Sequence, residues 1–325
     1  MEKFDVQGLI NETEFSISEK TAFTPHGFLS HYTSPTGLVG IMESKKLRFT
    51  EYSCLNDEKE GRLIFELCED YLKGSYSQDF TLKIKERIVN DKAKESVAIK
   101  LGVVGEKGYL WLTNSYKYFI GCFSTDQDNL SMWNYYTKTP NSVGYNIILR
   151  AEEVWHNINK FDLTQEYKVN PSIYKVIYDE DKQLEIIQIL IDATYEIWKK
   201  MPDDIDRRQA IDWLFDKLEE LRFIFKHKAF EQEKEIRIVL KVLTTDYHSM
   251  LLYDGGKEKI KLRQINGVFA PYIDYPFWGK TVAEGVVVSP TLKDQQAKNS
   301  VHILAQKYGF NHHFDVKSSE IPLKY

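Results

Sequence analysis

Four groups of polar residues in this chain have the types and spacing for chemistry. The first is His31-Tyr32-Thr33, set inside an otherwise apolar, strand-like run. An imidazole at a strand end can donate to ribose hydroxyls or phosphate oxygens from either ring nitrogen. The same residue also suits a buried histidine satisfied by backbone. The second group is Asn56-Asp57 with Glu60. Asp57 and Glu60 have capping-box spacing, with Asp57 accepting from helix amides and Glu60 reaching back. A rigid helix start also attracts anions, so capping and ligand contact both fit these residues.

The third group is Phe123-Ser124-Thr125-Asp126, followed by Asp128, Trp133, Tyr135 and Tyr136. A strand that ends at Ser124 beside a helix bearing Trp133 and Tyr136 supplies a hydroxyl contact and a stacking platform. A strand end with an ST-type turn and a small aromatic core uses the same residues. The fourth group is Glu231, Glu233 and Glu235, leading into the strand Ile-Arg-Ile-Val-Leu. Alternation puts the three carboxylates on one face of an extended chain. Like charges so placed are unfavourable unless solvated or used. Glu235 abuts apolar residues, where a carboxylate needs a partner or a task. Arg237, two positions on, shares its face and is the available structural partner.

The elements that must position these groups read as follows. Residues 1–25 are mixed and polar, an N-terminal arm. Residues 28–33 form a strand, Ser34 and Pro35 cap and open a helix, and residues 47–50 form a second strand. A helix opens at residues 56–60 with its buried stripe at Leu63, Ile64, Leu67 and Tyr71. A charged helical region covers residues 80–101. Strands are expected at 117–124 and 143–149, with a short helix at 128–136 between them. After a strand at 173–178 come two helices, 181–200 and 203–227, separated by Met201-Pro202-Asp203-Asp204. Strands at 235–242, 265–271, 284–289 and 313–316 complete the chain, with a turn at residues 254–256 and a helix at 292–308 ended by Gly309. Helices bunch between strands without regular βαβ alternation, which is the α+β pattern. The expected organisation is one α+β domain over residues 26–325. Its mixed, mainly antiparallel sheets are flanked by helices, and an α-helical hairpin is inserted at about 179–228. Packing and a protein-partner surface are both open to that hairpin.

Composition narrows the function classes. A chain of 325 residues that is 42% hydrophobic can build a sizeable core. The net charge of −5, with both signs interspersed, carries no strong nucleic-acid signature. Cys54, Cys68 and Cys122 lack metal-ligand spacing, and their odd number argues against a disulfide framework. His312-His313 with Asp315 are split by strand alternation, so no metal is expected. There is no GxGxxG, P-loop, HExxH or GxSxG motif. The first residues lack a basic and an apolar signal region, and no stretch is apolar enough to span a bilayer. A cytoplasmic protein without a membrane partner is expected.

Taken in order, the motifs resemble a family. His31-Tyr-Thr, the Gly-Ile-Met-Glu-Ser-Lys-Lys-Leu step and Leu-Asn-Asp with Glu60 come first. Cys-Phe-Ser with Asp128 and Trp133 follows, then Phe230 with Glu233, Glu235 and Arg237. A late Val-Val-Val-Ser-Pro and Lys-Ser-Ser-Glu-Ile-Pro close the set. This ordered pattern looks like the bacterial domain of unknown function DUF2971, over about residues 28–320.

A more distant resemblance is to ADP-ribosyltransferases. It runs through His31, Ser124-Thr125, and Glu233-Lys234-Glu235 leading into an apolar strand. That resemblance implies an ADP-ribosyltransferase-like core and NAD as the consumed substrate. It implies that His31, with Tyr32 and Thr33, holds the adenine-side ribose or the NAD backbone. Ser124 would support the nicotinamide pocket, with Trp133 or Tyr136 as the stacking ring. Glu235 would stabilise the oxocarbenium-like transition state, and Glu233 would position an unknown macromolecular acceptor. Asp126 stands where the family motif has its last serine. An NAD-consuming transferase or glycohydrolase, acting as a bacterial toxin or phage-defence effector, is the expected function. A non-catalytic sensing or interaction module of a defence system is the alternative, and a nucleotide- or RNA-phosphate-processing enzyme is a second.

Overall fold

The computed structural model describes residues 5–55, 61–73, 76–100, 116–137, 143–160, 169–243, 260–265, 267–276, 282–292, 294–310 and 313–322. The chain divides into two compact units. One gathers Met1–Ala22, Asn56–Asn114 and Lys175–Phe230, and the other Phe23–Leu55, Ser115–Tyr174 and Glu231–Tyr325.

The first unit is helical. Its described helices are α1 (Val6–Thr21), α3 (Leu63–Tyr71), α4 (Gln78–Lys100), α7 (Glu180–Lys200) and α8 (Asp204–Leu221). The helices expected as a hairpin insertion, α7 and α8, therefore pack in a unit with α1 and α3. Residues 1–25, expected as an arm, contain the helix α1, capped by Asp5. Its buried positions are Thr13, Ile17 and Thr21, so the helical stripe is mostly threonine and shows little apolar periodicity. The second long helix stops at Leu221 rather than near 227. Phe223, Ile224 and Phe225 are all fully buried, which no single helix face allows. The chain instead extends beside Ile177, whose amide donates to Ile224 O at 2.8 Å. Among the described residues no helix is long and apolar enough to cross a membrane.

The second unit carries the sheet. Its strands are β1 (Phe28–Thr33), β2 (Lys46–Glu51), β3 (Tyr116–Ser124), β4 (Tyr145–Arg150), β5 (Val169–Lys175), β6 (Glu235–Leu243), β7 (Lys261–Ile265), β8 (Val268–Pro276), β9 (Ala283–Val288) and β10 (Asp315–Ser318). Their order is β10-β9-β4-β1-β3-β2-β8-β7, with β6 also on β3 and β5 on β6. β9 and β10 run parallel, whereas the pairings of β1, β2, β3, β4, β7 and β8 are antiparallel. Helices α2 (Pro35–Ser44), α5 (Leu130–Tyr136), α6 (Ala151–Lys160) and α9 (Gln295–Lys307) flank it. The expected α+β class with a mainly antiparallel sheet is thus observed. The strand read at 265–271 is a hairpin, β7 and β8, which turns at Gly267 with φ 84°. The Asn-Gly pair at 266–267 is the turn signal that divides it. The turn read at 254–256 lies outside the described residues.

The two faces of this sheet differ. Leu29, Phe49, Phe119, Phe123, Ile147, Ile236, Ile238 and Leu240 point to one side and form the main core. Met42, Val154 and Val301 of the flanking helices close that core. Alternation sends Ser30, Ser124, Glu235 and Arg237 to the other face. Gly121 on β3 lets Phe49 lie flat on the core side, since a Cβ there would meet the Phe49 ring at 2.7 Å. Gly121→Ala is expected to cost about 1–3 kcal/mol by overpacking, read from urea denaturation. Phe49→Leu in the same chain should restore part of the loss. A Gly121→Ala chain as stable as the parent would contradict this packing.

Candidate functional site

The site is built around β3, which has partners on both edges. β6 pairs with it along one edge, ending at Ser124↔Glu235. The other edge is shared, since β2 pairs at Ile120↔Thr50 and β1 at Ser124↔Ser30. Residues 120, 122 and 124 turn their backbone groups to that edge. The Cys122 carbonyl lies between the two pairings and accepts from Nδ1 of His31 at 3.1 Å. A carbonyl can only accept, so Nδ1 carries the proton and Nε2 the lone pair. Burial pushes the His31 pKa below its ordinary value of 6.5. The Cys122 bond opposes that shift, and the charge of Arg263 adds to it. The imidazole is therefore neutral at pH 7. Its ring packs 5.7 Å from Phe123 on the core side.

Ser30, Ser124 and Glu235 form one cross-strand row on the opposite face. Ser124 is fully buried and its hydroxyl is committed. Oγ donates to Glu233 O at 2.6 Å and accepts from the Asp126 amide at 3.0 Å. Ser124 thereby pins the entry of β6 to the exit of β3. The Thr125 amide donates to Lys234 O at 3.1 Å and reinforces the joint. Lys234 adopts φ 44°, the left-handed kink that separates Glu233 from Glu235. The expected alternation of Glu231, Glu233 and Glu235 is therefore not formed, since residues 228–233 coil into a 3-10 helix and the kink follows it. Glu231 is exposed, whereas Glu233 and Glu235 are buried.

A second layer of bonds fixes α5 against this joint. Tyr32 is its hub, its hydroxyl donating to Asp126 O at 2.9 Å and accepting from the Asn129 amide at 3.0 Å. Asn129 caps α5 and donates through Nδ2 to Gln232 O at 2.9 Å. Lys234 Nζ meets Asp126 Oδ2 at 3.1 Å. Partial burial pushes the Asp126 carboxyl up, but bonds from Lys234, Asn129 and the Asp128 amide outweigh it, so its pKa falls below the usual range. Trp133 is fully buried, edge-on to Tyr32 at 4.8 Å, and donates to Asp128 Oδ1 at 2.8 Å. Asp128 also accepts from Ser319 Oγ at 2.6 Å and the Glu320 amide at 2.7 Å. The Tyr136 hydroxyl donates to Glu233 Oε1 at 3.1 Å.

The charged pair lies beside this network. Arg237 donates from Nε and Nη2 to the two oxygens of Glu235, each at 2.9 Å. The side chains are 1% and 4% exposed. The partnership read from their spacing is therefore formed, as a bidentate pair away from water. Ser30 Oγ, 1% exposed and in the same row, has no hydrogen-bond partner among the described residues.

The structure thus gathers Tyr32, Ser124, Trp133, Tyr136, Glu233, Glu235 and Arg237 on or beside one sheet face. It sets His31 and Thr33 on the alternate positions of β1, facing the core side. Asn56 and Asp57 lie outside the described residues. Ser30 and Asn129 have no part in the motifs read from the sequence, and Lys234 and Ser319 stand within such motifs without a role of their own. Their roles arise from contacts with residues distant in sequence, which local residue types do not announce. No cluster of three or more His, Cys, Asp or Glu suited to a metal occurs among the described residues.

Two outcomes follow from this geometry. Arg237→Met removes both guanidinium bonds from a buried carboxylate and should cost about 3–5 kcal/mol in urea denaturation. Replacing both partners, as Glu235→Gln with Arg237→Met, should cost less than Arg237→Met alone. Equal losses would show that the pair is not the controlling interaction. His31 has a folded pKa below its unfolded one, so its contribution is full above about 6.5 and is lost as pH falls. His31→Asn keeps a donor for Cys122 but does not titrate. It should shrink the fall in melting temperature between about pH 7 and pH 5. An unchanged fall would contradict the buried neutral imidazole.

No curated protein and no solved structure matches the chain. The matched part of the family comparison includes Trp133, Tyr136, Glu233, Glu235 and Arg237, and it excludes His31 and Ser124. Over residues 132–238 the chain matches the family described as a protein of unknown function, DUF2971, and the resemblance to that family holds there.

Proposed function

We propose that the chain is an NAD-consuming, ADP-ribosyltransferase-like enzyme. It acts in the cytoplasm on a macromolecular acceptor, as a bacterial toxin or phage-defence effector. One observation carries the reading. The strands bearing the three motif pieces, β1, β3 and β6, are neighbours, with Ser124 in register between Ser30 and Glu235. Residues some two hundred positions apart in sequence thus meet in one row.

Cleavage of the bond between nicotinamide and ribose develops positive charge on the sugar. A preorganised carboxylate aimed at that charge stabilises the transition state. Glu235 supplies the carboxylate, and Arg237 fixes its rotamer through two bonds. The Tyr136 hydroxyl bonds Glu233, and in this reading Glu233 positions the acceptor. Tyr136 is half-buried and offers the ring for nicotinamide better than the fully buried Trp133.

A second reading, a module that binds a ligand without turning it over, is favoured by a specific feature. The Ser124 hydroxyl is engaged by backbone, and Glu235 already faces a cation. Nicotinamide release from NAD by the full chain separates the two. Release is expected from the parent and should fall about 100-fold or more in Glu235→Gln, with melting temperature as the folding control. Release unchanged in a folded Glu235→Gln removes Glu235 from the chemistry. NAD binding by calorimetry without release establishes the module instead.

A further inference from the structure

Arg263 on β7 is a half-buried guanidinium that makes no ion pair of its own among the described residues, although the Asp274 carboxylate lies near enough to act on its charge. It sits opposite Ala270 on β8, whose small side chain lets it cross toward β2. There Nη2 donates to Thr50 Oγ1 at 2.8 Å. Its Nε is buried and has no hydrogen-bond partner among the described residues. An unused guanidinium donor away from water is costly unless a ligand takes it.

Two more cations share this face. Arg48 on β2 approaches Asp274 at 3.4 Å and stacks 4.2 Å from the Tyr272 ring. Lys261 on β7 reaches the other Asp274 oxygen at 3.3 Å. Three cations therefore surround one carboxylate. Glu51, the next acid along β2, alternates to the opposite face and accepts from the Ser53 amide. Burial and the nearby Arg48 both push the Arg263 pKa below its ordinary value, so the two guanidinium groups repel each other. A bound anion relieves that repulsion and uses the idle Nε of Arg263. Guanidinium forks match phosphate oxygens in pairs.

We infer that Arg48, Lys261 and Arg263 bind the phosphate or diphosphate group of a small-molecule ligand. Assigning that group to the NAD diphosphate rests on the proposed function above. The anion site lies on the same sheet face as the Ser30–Ser124–Glu235 row, since Thr50 pairs with Ile120, four residues from Ser124 on β3. β3 thus joins the two halves of one surface.

The test is calorimetric titration of the full chain with inorganic pyrophosphate, then with ADP-ribose. Both should bind the parent. Arg263→Met should weaken pyrophosphate about tenfold or more. Arg263→Lys, which keeps the charge and loses the fork, should fall between parent and Arg263→Met. Arg48→Met is the second variant should Arg263→Met fail to fold. No pyrophosphate binding by the parent overturns the inference, as does unchanged affinity in folded Arg263→Met and Arg48→Met. Binding of a single-stranded RNA that neither small anion displaces overturns it too. Pyrophosphate binding that depends on Arg263, in a chain that releases no nicotinamide, supports the anion site while removing the NAD reading.

Discussion

The bidentate pair between Glu235 and Arg237 is the constraint on which the sheet face depends. Both charges lie almost wholly out of water, and each needs the other. Removing either leaves a buried ion, a penalty of about 3–5 kcal/mol that few domains tolerate easily. The pair also fixes which side of β6 is polar. A slip of one residue would carry Glu235 and Arg237 into the core with Ile236 and Ile238 on the wrong side. The pair therefore sets register as well as charge, and with it the alignment of Glu235 opposite Ser124.

β3 distributes that register across the unit. Its long pairing with β6 fixes one edge, while β2 and β1 share the other. His31 serves the interval between them, bonding the Cys122 carbonyl. A neutral imidazole suits this task, since it donates at Nδ1 without bringing a charge into the core. The Ser124 hydroxyl performs a similar service at the strand end, where it joins the β3 exit to the kinked entry of β6. Both residues hold backbone together, His31 from the core side of the sheet and Ser124 from the polar face. Structural bonds of this kind hold the Glu235 carboxylate in one geometry, which is what the proposed chemistry asks of it.

Much of this was legible in the sequence, and the gaps have physical causes. The Ser34-Pro35 helix start is explicit, and Ser34 caps it through Oγ at 3.1 Å from the Gly37 amide. The i, i+2 spacing of Glu235 and Arg237 fixed their common face, since alternation is local. The three-glutamate stripe was not so simple, because the left-handed Lys234 is a backbone event that the residue type does not announce. Helix α1 hides behind buried threonines, and the end of α8 depends on a pairing with Ile177, distant in sequence. Ser30 and Arg263 carry no motif. Their interest comes from polar atoms left without partners, which only the assembled sheet reveals.

The most direct measurement is a crystal structure with a non-cleavable carbocyclic NAD analogue. The expected result places its diphosphate against Arg48 and Arg263 and the nicotinamide-side ring within hydrogen-bond reach of Glu235. An analogue bound elsewhere, with the face bearing Ser30, Ser124 and Glu235 empty, would contradict the proposed site.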